Sequence, residues 1–201
     1  MYGLPQSTEI KKQLPKKAIF AKFDMPASQR ERFDVDISRI DIVAVVSPTT
    51  VPAVADGENI KEFYVLAVQL KHKDYDSKNI AMLSRLIPQK MIMALHFEEQ
   101  VQFAISHTKL ITSKWQFLTP NSSFLTLQGL TLDSVWDNIV ISIGDIQVEQ
   151  GKSVAEQISA DDQRAKVLAQ IATLERKMAI EKQPRRKREY FEQIKKLKSQ
   201  I

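Results

Sequence analysis

The run KQPRRKR sets Arg185, Arg186, Lys187 and Arg188 side by side, and Lys195, Lys196 and Lys198 follow closely. Adjacent cations repel one another, so such a concentration is unfavourable unless an anion lies nearby. Phosphates are one such anion. Each phosphate neutralised would release counterions, giving steep salt dependence and little sequence preference. The other readings are an acidic protein surface, or a solvated helix face with internal ion pairs such as Glu192 with Lys196. The charge layout favours a partner. From Arg164 to Lys198 there are twelve Lys and Arg against four Glu, a net of +8, while the whole chain carries +5, leaving −3 for the remainder. No motif of a nucleic-acid-binding fold accompanies the cluster, so DNA is a candidate by charge alone. Only Tyr190 and Phe191 supply aromatic rings there, and one of them suits a helix seam better than a base.

Catalytic patterns are sparse. A strand ending in an acid and a lysine, followed by a helix, would hold magnesium through oxygen ligands. Here the corresponding strand ends in Gln69, Leu70 and Lys71, with glutamine in place of the acid, and Asp41, Asp74 and Asp76 are poorly spaced to replace it. A divergent or degenerate nuclease is therefore the alternative, not the first reading. His72, His96 and His107 lack metal-ligand spacing, and no serine sits in a nucleophile elbow. The five glycines are dispersed, which leaves no phosphate-cradling loop. With no cysteine there is no disulfide, thiolate zinc site or thiol nucleophile. Glu98 and Glu99 fall in an expected hairpin turn, where acids solubilise. No catalytic residue, metal ligand or cofactor is assigned.

The elements that position these residues follow from periodicity. At 201 residues, 43% of them hydrophobic and 26% charged, the chain has the composition of one globular domain with an appendage. No apolar run approaches the roughly 20 residues that cross a bilayer, and the first residues lack the apolar core of a secretory signal, so the expected compartment is the cytoplasm. Residues 4–17, with Pro5 and Pro15, read as an arm without a long regular element. A short helix is expected over 27–33, and strands over 40–46, 63–70, 91–97, 101–106 and 115–118. Residues 98–100 form the turn of an antiparallel hairpin. Helices are expected over 77–86 and 132–143, each with apolar residues at intervals of three and four. From residue 159 the spacing becomes heptad: Val167, Ile171, Leu174 and Met178, then Tyr190, Ile194, Leu197 and Ile201. Extending the first seam would place Glu181, Arg185 and Arg188 in it, so it breaks near Pro184. Two antiparallel helices joined at about residues 183–186 fit this break, with a kinked single helix as the other reading. Arms of about two heptads are marginal alone and need a body, a second copy or a partner to pack on.

The fold expected is therefore α+β: a mixed or antiparallel sheet with packed helices over 1–150, then a basic antiparallel helical hairpin, a short coiled coil, over 159–201. Several segments also resemble one bacterial family, namely GLPQSTEIKKQLPK, IPQKMIMAL with VQFAISHTK, LQGLTLDSVWDNIV and LERKMAIEKQPRRKREYFEQIKKLKSQ. It is the domain-of-unknown-function family numbered four-three-nine-one, and the likeness spans nearly the whole chain in order. It implies companionship with DNA methylases and helicases in restriction or phage-defence gene clusters, and it supplies no catalytic residues. The resulting expectation is a non-catalytic accessory or adaptor protein. Its partners would be a helicase or methylase and also DNA, with self-association through the hairpin open and no membrane. The binding residues would be Arg185, Arg186, Lys187, Arg188, Lys195, Lys196 and Lys198.

Overall fold

The computed structural model describes residues 1–119 and 122–199, and the chain divides into two units, Met1–Gln147 and Val148–Ile201. The first is built on a mixed seven-stranded sheet in the order β1-β2-β3-β4-β5-β6, with β7 also paired to β5. The strands are β1 (Glu9–Gln13), β2 (Ile37–Val46), β3 (Phe63–Leu70), β4 (Lys90–Phe97), β5 (Gln100–Ser106), β6 (Leu110–Thr112) and β7 (Gln116–Phe117). All pairings are antiparallel except β3 with β4. A parallel neighbour requires a crossover, and α3 (Ser77–Leu83) lies within it.

Period-two alternation sends the two halves of each strand to different layers. Ile40 and Ile42 of β2, Leu66, Val68 and Leu70 of β3, and Met91, Met93 and Leu95 of β4 form one core. Helices α1 (Lys16–Lys22), α2 (Ala27–Asp36) and α3 contribute Ile19, Phe33, Ile80 and Leu83 to it. The alternate residues face the other way. There Phe63 meets Trp136 edge-on, with ring centroids 5.5 Å apart, and α4 (Leu132–Gly144) buries Val135, Ile139 and Val140. Thr131 and Ser134 cap α4 reciprocally.

A clip holds the long β2–β3 connection to α4. The Asp133 carboxylate accepts the backbone N–H groups of Glu58 at 2.7 Å, Asn59 at 3.1 Å and Ile60 at 2.9 Å. Burial would raise its pKa, but these three donors outweigh that and hold it below the usual carboxylate value. Gly57 is required beside it, because a Cβ there would come within 2.5 Å of Asp133 Oδ1.

The second unit is a helical hairpin of α5 (Val154–Ile180) and α6 (Pro184–Lys198). Ser153 and Glu156 form a capping box that starts α5. Three differences from the sequence reading stand out. The N-terminal arm carries β1 and α1, β6 was not expected, and α5 begins before residue 159. The β4–β5 turn is also one residue tighter, with Glu98 in left-handed geometry (φ 52°). Among the described residues no helix is long and apolar enough to cross a membrane.

Candidate nucleic-acid interface

Of the residues at heptad spacing in the helical pair, Ile171 and Ile194 are buried, and Val167, Leu174, Met178, Tyr190 and Leu197 are half-buried. Ile201, expected to close the seam, lies outside the described residues. The connection is Glu181, Lys182 and Gln183, shorter and earlier than the sequence suggested. Gln183 is extended (φ −82°, ψ 119°), as a residue before proline prefers, and Pro184 takes the first helical position. Arg185 and Arg186 therefore lie in the first turn of α6, which contains no acid. Free N–H groups and the helix dipole already make this end positive, so the cations there add to an unfavourable potential.

The acids of the hairpin answer only part of that charge. Arg185 reaches Glu189 at 3.4 Å, Arg186 reaches Glu181 at 3.8 Å, and Lys198 reaches across to Glu175 at 3.0 Å. The Glu181 carboxyl also accepts the N–H of Gln183 at 3.0 Å and of Lys182 at 2.9 Å. These donors, Gln183 foremost, together with Arg186 and Lys187, hold it below the usual carboxylate value. Lys182, Lys187, Arg188, Lys195 and Lys196 have no salt-bridge partner among the described residues and are exposed.

Helical spacing sorts the seven expected binding residues onto different faces. Phe191 lies four residues from both Lys187 and Lys195 and three from Arg188, so these four share one stripe. Phe191 is 54% exposed, an apolar ring standing among cations, while Tyr190 turns into the seam. Lys198, three residues beyond Lys195, lies on the same side, held by Glu175. Arg186 and Lys196 fall on the other side of α6, and Arg185 points outward with its side chain 92% exposed. Sequence reasoning missed Lys182 and the exposure of Phe191. Lys182 was legible from its closeness to Pro184, and the exposure of Phe191 from the heptad count, which puts Tyr190 in the seam and leaves Phe191 one position off it. The unit from Val148 onward has thirteen basic and eight acidic residues, a net of +5, and the sheet unit has sixteen of each.

Of the residues weighed for nuclease chemistry, Asp41 and Gln69 come onto one sheet face, while Lys71 and Asp76 are engaged elsewhere. Asp41 pairs with Ala67 and Arg39 with Gln69, so Arg39, Asp41 and Gln69 share one sheet face. The guanidinium of Arg39 grips Asp41 at 2.6 and 2.9 Å. Lys71 Nζ donates to the Asp34 carbonyl. Asp76 caps α3, its Oδ1 accepting the N–H of Lys78 at 2.9 Å. Asp36, which the sequence did not single out, is buried and accepts from Asn79 Nδ2 at 2.7 Å and Asp76 N at 3.0 Å. His72 Nε2 lies 3.4 Å from the other oxygen of Asp36. His96 Nε2 stands 2.5 Å from the hydroxyl of Tyr2, and burial lowers its pKa. Burial likewise lowers that of His107, which is remote from the other two in the sheet. Glu98 and Glu99 occupy the β4–β5 turn. Among the described residues no group of three or more His, Asp or Glu is placed to hold a metal ion.

One family model, described as Domain of unknown function (DUF4391), matches residues 2–201. No curated protein and no solved structure matches the chain.

Proposed function

The chain belongs to the DUF4391 family, and we propose that it is a non-catalytic adaptor whose basic hairpin contacts nucleic-acid phosphates while the protein docks on a larger DNA-acting enzyme. The observation that carries this reading is the stripe of Lys187, Arg188 and Lys195, cations without salt-bridge partners among the described residues, around the exposed ring of Phe191. Arg185, Arg186 and Lys198 each have an acid of the hairpin to answer them, whereas the cations of the stripe are left available to an external anion. Placing further cations at the positive end of α6 is a cost that an anionic partner offsets. A restriction or phage-defence setting, with a helicase or methylase as the larger enzyme, is the expectation attached to the family resemblance and forms part of the same proposal.

The test is duplex binding followed by fluorescence anisotropy as salt is raised. Replacing Arg185, Arg186, Lys187 and Arg188 together by Ala should weaken binding and flatten its salt dependence. Unchanged binding at every ionic strength sinks the phosphate assignment. Magnesium-dependent cleavage of plasmid DNA that disappears in Lys71→Ala would replace the adaptor with a divergent nuclease.

A further inference from the structure

Besides Val154, Gln157 and Ile158 at the start of α5, the hairpin buries Ile171 and Ile194 between its helices, and on the side away from Phe191 it leaves an open groove of about 660 Å³. Its floor is Leu174 of α5 and Leu197 of α6, both half-buried, and Gln170, Thr173 and Gln193 form its walls. Leu174 lies three residues after Ile171 and four before Met178, and Leu197 lies three after Ile194. The groove thus presents one half-buried leucine from each helix, set beside the seam and flanked by Ala169 and polar walls, an apolar furrow between two helices into which the apolar face of another helix fits.

The charges beside the groove decide what kind of helix. Lys166 is held by Asp162 at 2.9 Å, Arg186 by Glu181, and Glu189 by Arg185. Lys177 and Lys196 have no salt-bridge partner among the described residues. A second copy of the chain would set these lysines in a like-charged field, which costs affinity. We infer that the groove seats an amphipathic helix of another protein, with apolar residues at heptad spacing and Asp or Glu on its flanks facing Lys177 and Lys196. This deepens the adaptor reading by naming what recognises the larger enzyme. It uses the opposite side of α6 from the phosphate-facing stripe, so the two can be occupied together.

The probe is a labelled helical peptide of about four heptads with Leu at the seam positions and Glu on the flanks. Its counterpart carries Lys on the flanks. The full chain should bind the acidic peptide roughly tenfold more tightly than the basic one. Thr173→Glu with Gln193→Glu, both at exposed positions and so compatible with folding, should weaken the acidic peptide by roughly tenfold while changing duplex binding far less. Equal binding of both peptides, binding of neither, or indifference to the two rim substitutions overturns the inference. So does a dimer in sedimentation velocity that these substitutions dissolve, because the groove would then belong to a second copy. Peptide binding that persists when duplex binding is absent leaves the groove assigned and refutes only the phosphate reading.

Discussion

The division of the hairpin cations into partnered and unpartnered sets makes a quantitative prediction. Lys187, Arg188 and Lys195, without salt-bridge partners among the described residues, would meet phosphates without giving up a described carboxylate, whereas Arg185, Arg186 and Lys198 would have to leave Glu189, Glu181 and Glu175. On a duplex each phosphate neutralised contributes about 0.9 to the slope of log affinity against log salt. Removing Lys187, Arg188 and Lys195 together should therefore lower that slope by about 2.7, equivalent to about 40-fold in affinity between about 50 and 200 mM salt. The matched triple, Arg185→Ala, Arg186→Ala and Lys198→Ala, should lower it by less than about half as much, because exposed ion pairs offset part of the contribution. The assay is anisotropy of a labelled duplex titrated at several salt concentrations, with circular dichroism confirming that the helices persist. Equal slopes for the two triples would refute the argument, since it rests on salt-bridge partners and not on the number of cations.

Other measurements test separate parts of the molecule. Phe191→Ala should weaken single-stranded DNA binding by at least about fivefold through lost base stacking, and duplex binding much less; equal losses on both would remove the ring from the interface. Asp133→Ala withdraws the acceptor for three backbone N–H groups and should cost about 1–3 kcal/mol in urea unfolding. A loss below about 0.5 kcal/mol would mean that water replaces the clip without penalty. His96 has a folded pKa below its unfolded value, so the unfolded chain takes up the proton first as pH falls, and stability should drop through about pH 6.5. His96→Gln should flatten that decline, and an unchanged decline would assign it to other groups.

What was legible in the sequence was whatever depended on local pattern. FYVLAVQL is β3 at its full extent, and the apolar spacing of α4 marked it within a residue or so. β1 was hidden because an edge strand with one face in solvent does not need alternating apolar residues: EIKKQ buries only Ile10, and partly, and its lysines guard an open edge. The start of α5 was in plain view as Ser153 and Glu156, three residues apart, but the heptad count began later and passed over the capping box. The cluster of cations was legible too. Which of them keep a partner was not, because Lys198 meets Glu175 across the hairpin at a separation of 23 residues, and no local rule foresees that contact.

The same charge count limits what the hairpin can do alone. The net +5 falls entirely within the second unit, so a long-range field that would steer the chain toward a polyanion would originate there. The stripe of cations without salt-bridge partners among the described residues runs from Lys187 to Lys195, about 12 Å along α6, and on the proposed reading would offer three phosphate contacts to a duplex. Three contacts are few beside the roughly six to ten that make binding strongly salt-dependent, and exposed charges are screened beyond a Debye length of about 8 Å at physiological salt. Nucleic-acid contact of this size becomes effective when a second attachment raises the local concentration of the duplex. A helix of a DNA-acting enzyme seated in the Leu174–Leu197 groove would supply that attachment, because it leaves the stripe open. Adaptor binding and phosphate contact would then reinforce each other, and destroying either the groove or the stripe should abolish recruitment that neither sustains alone.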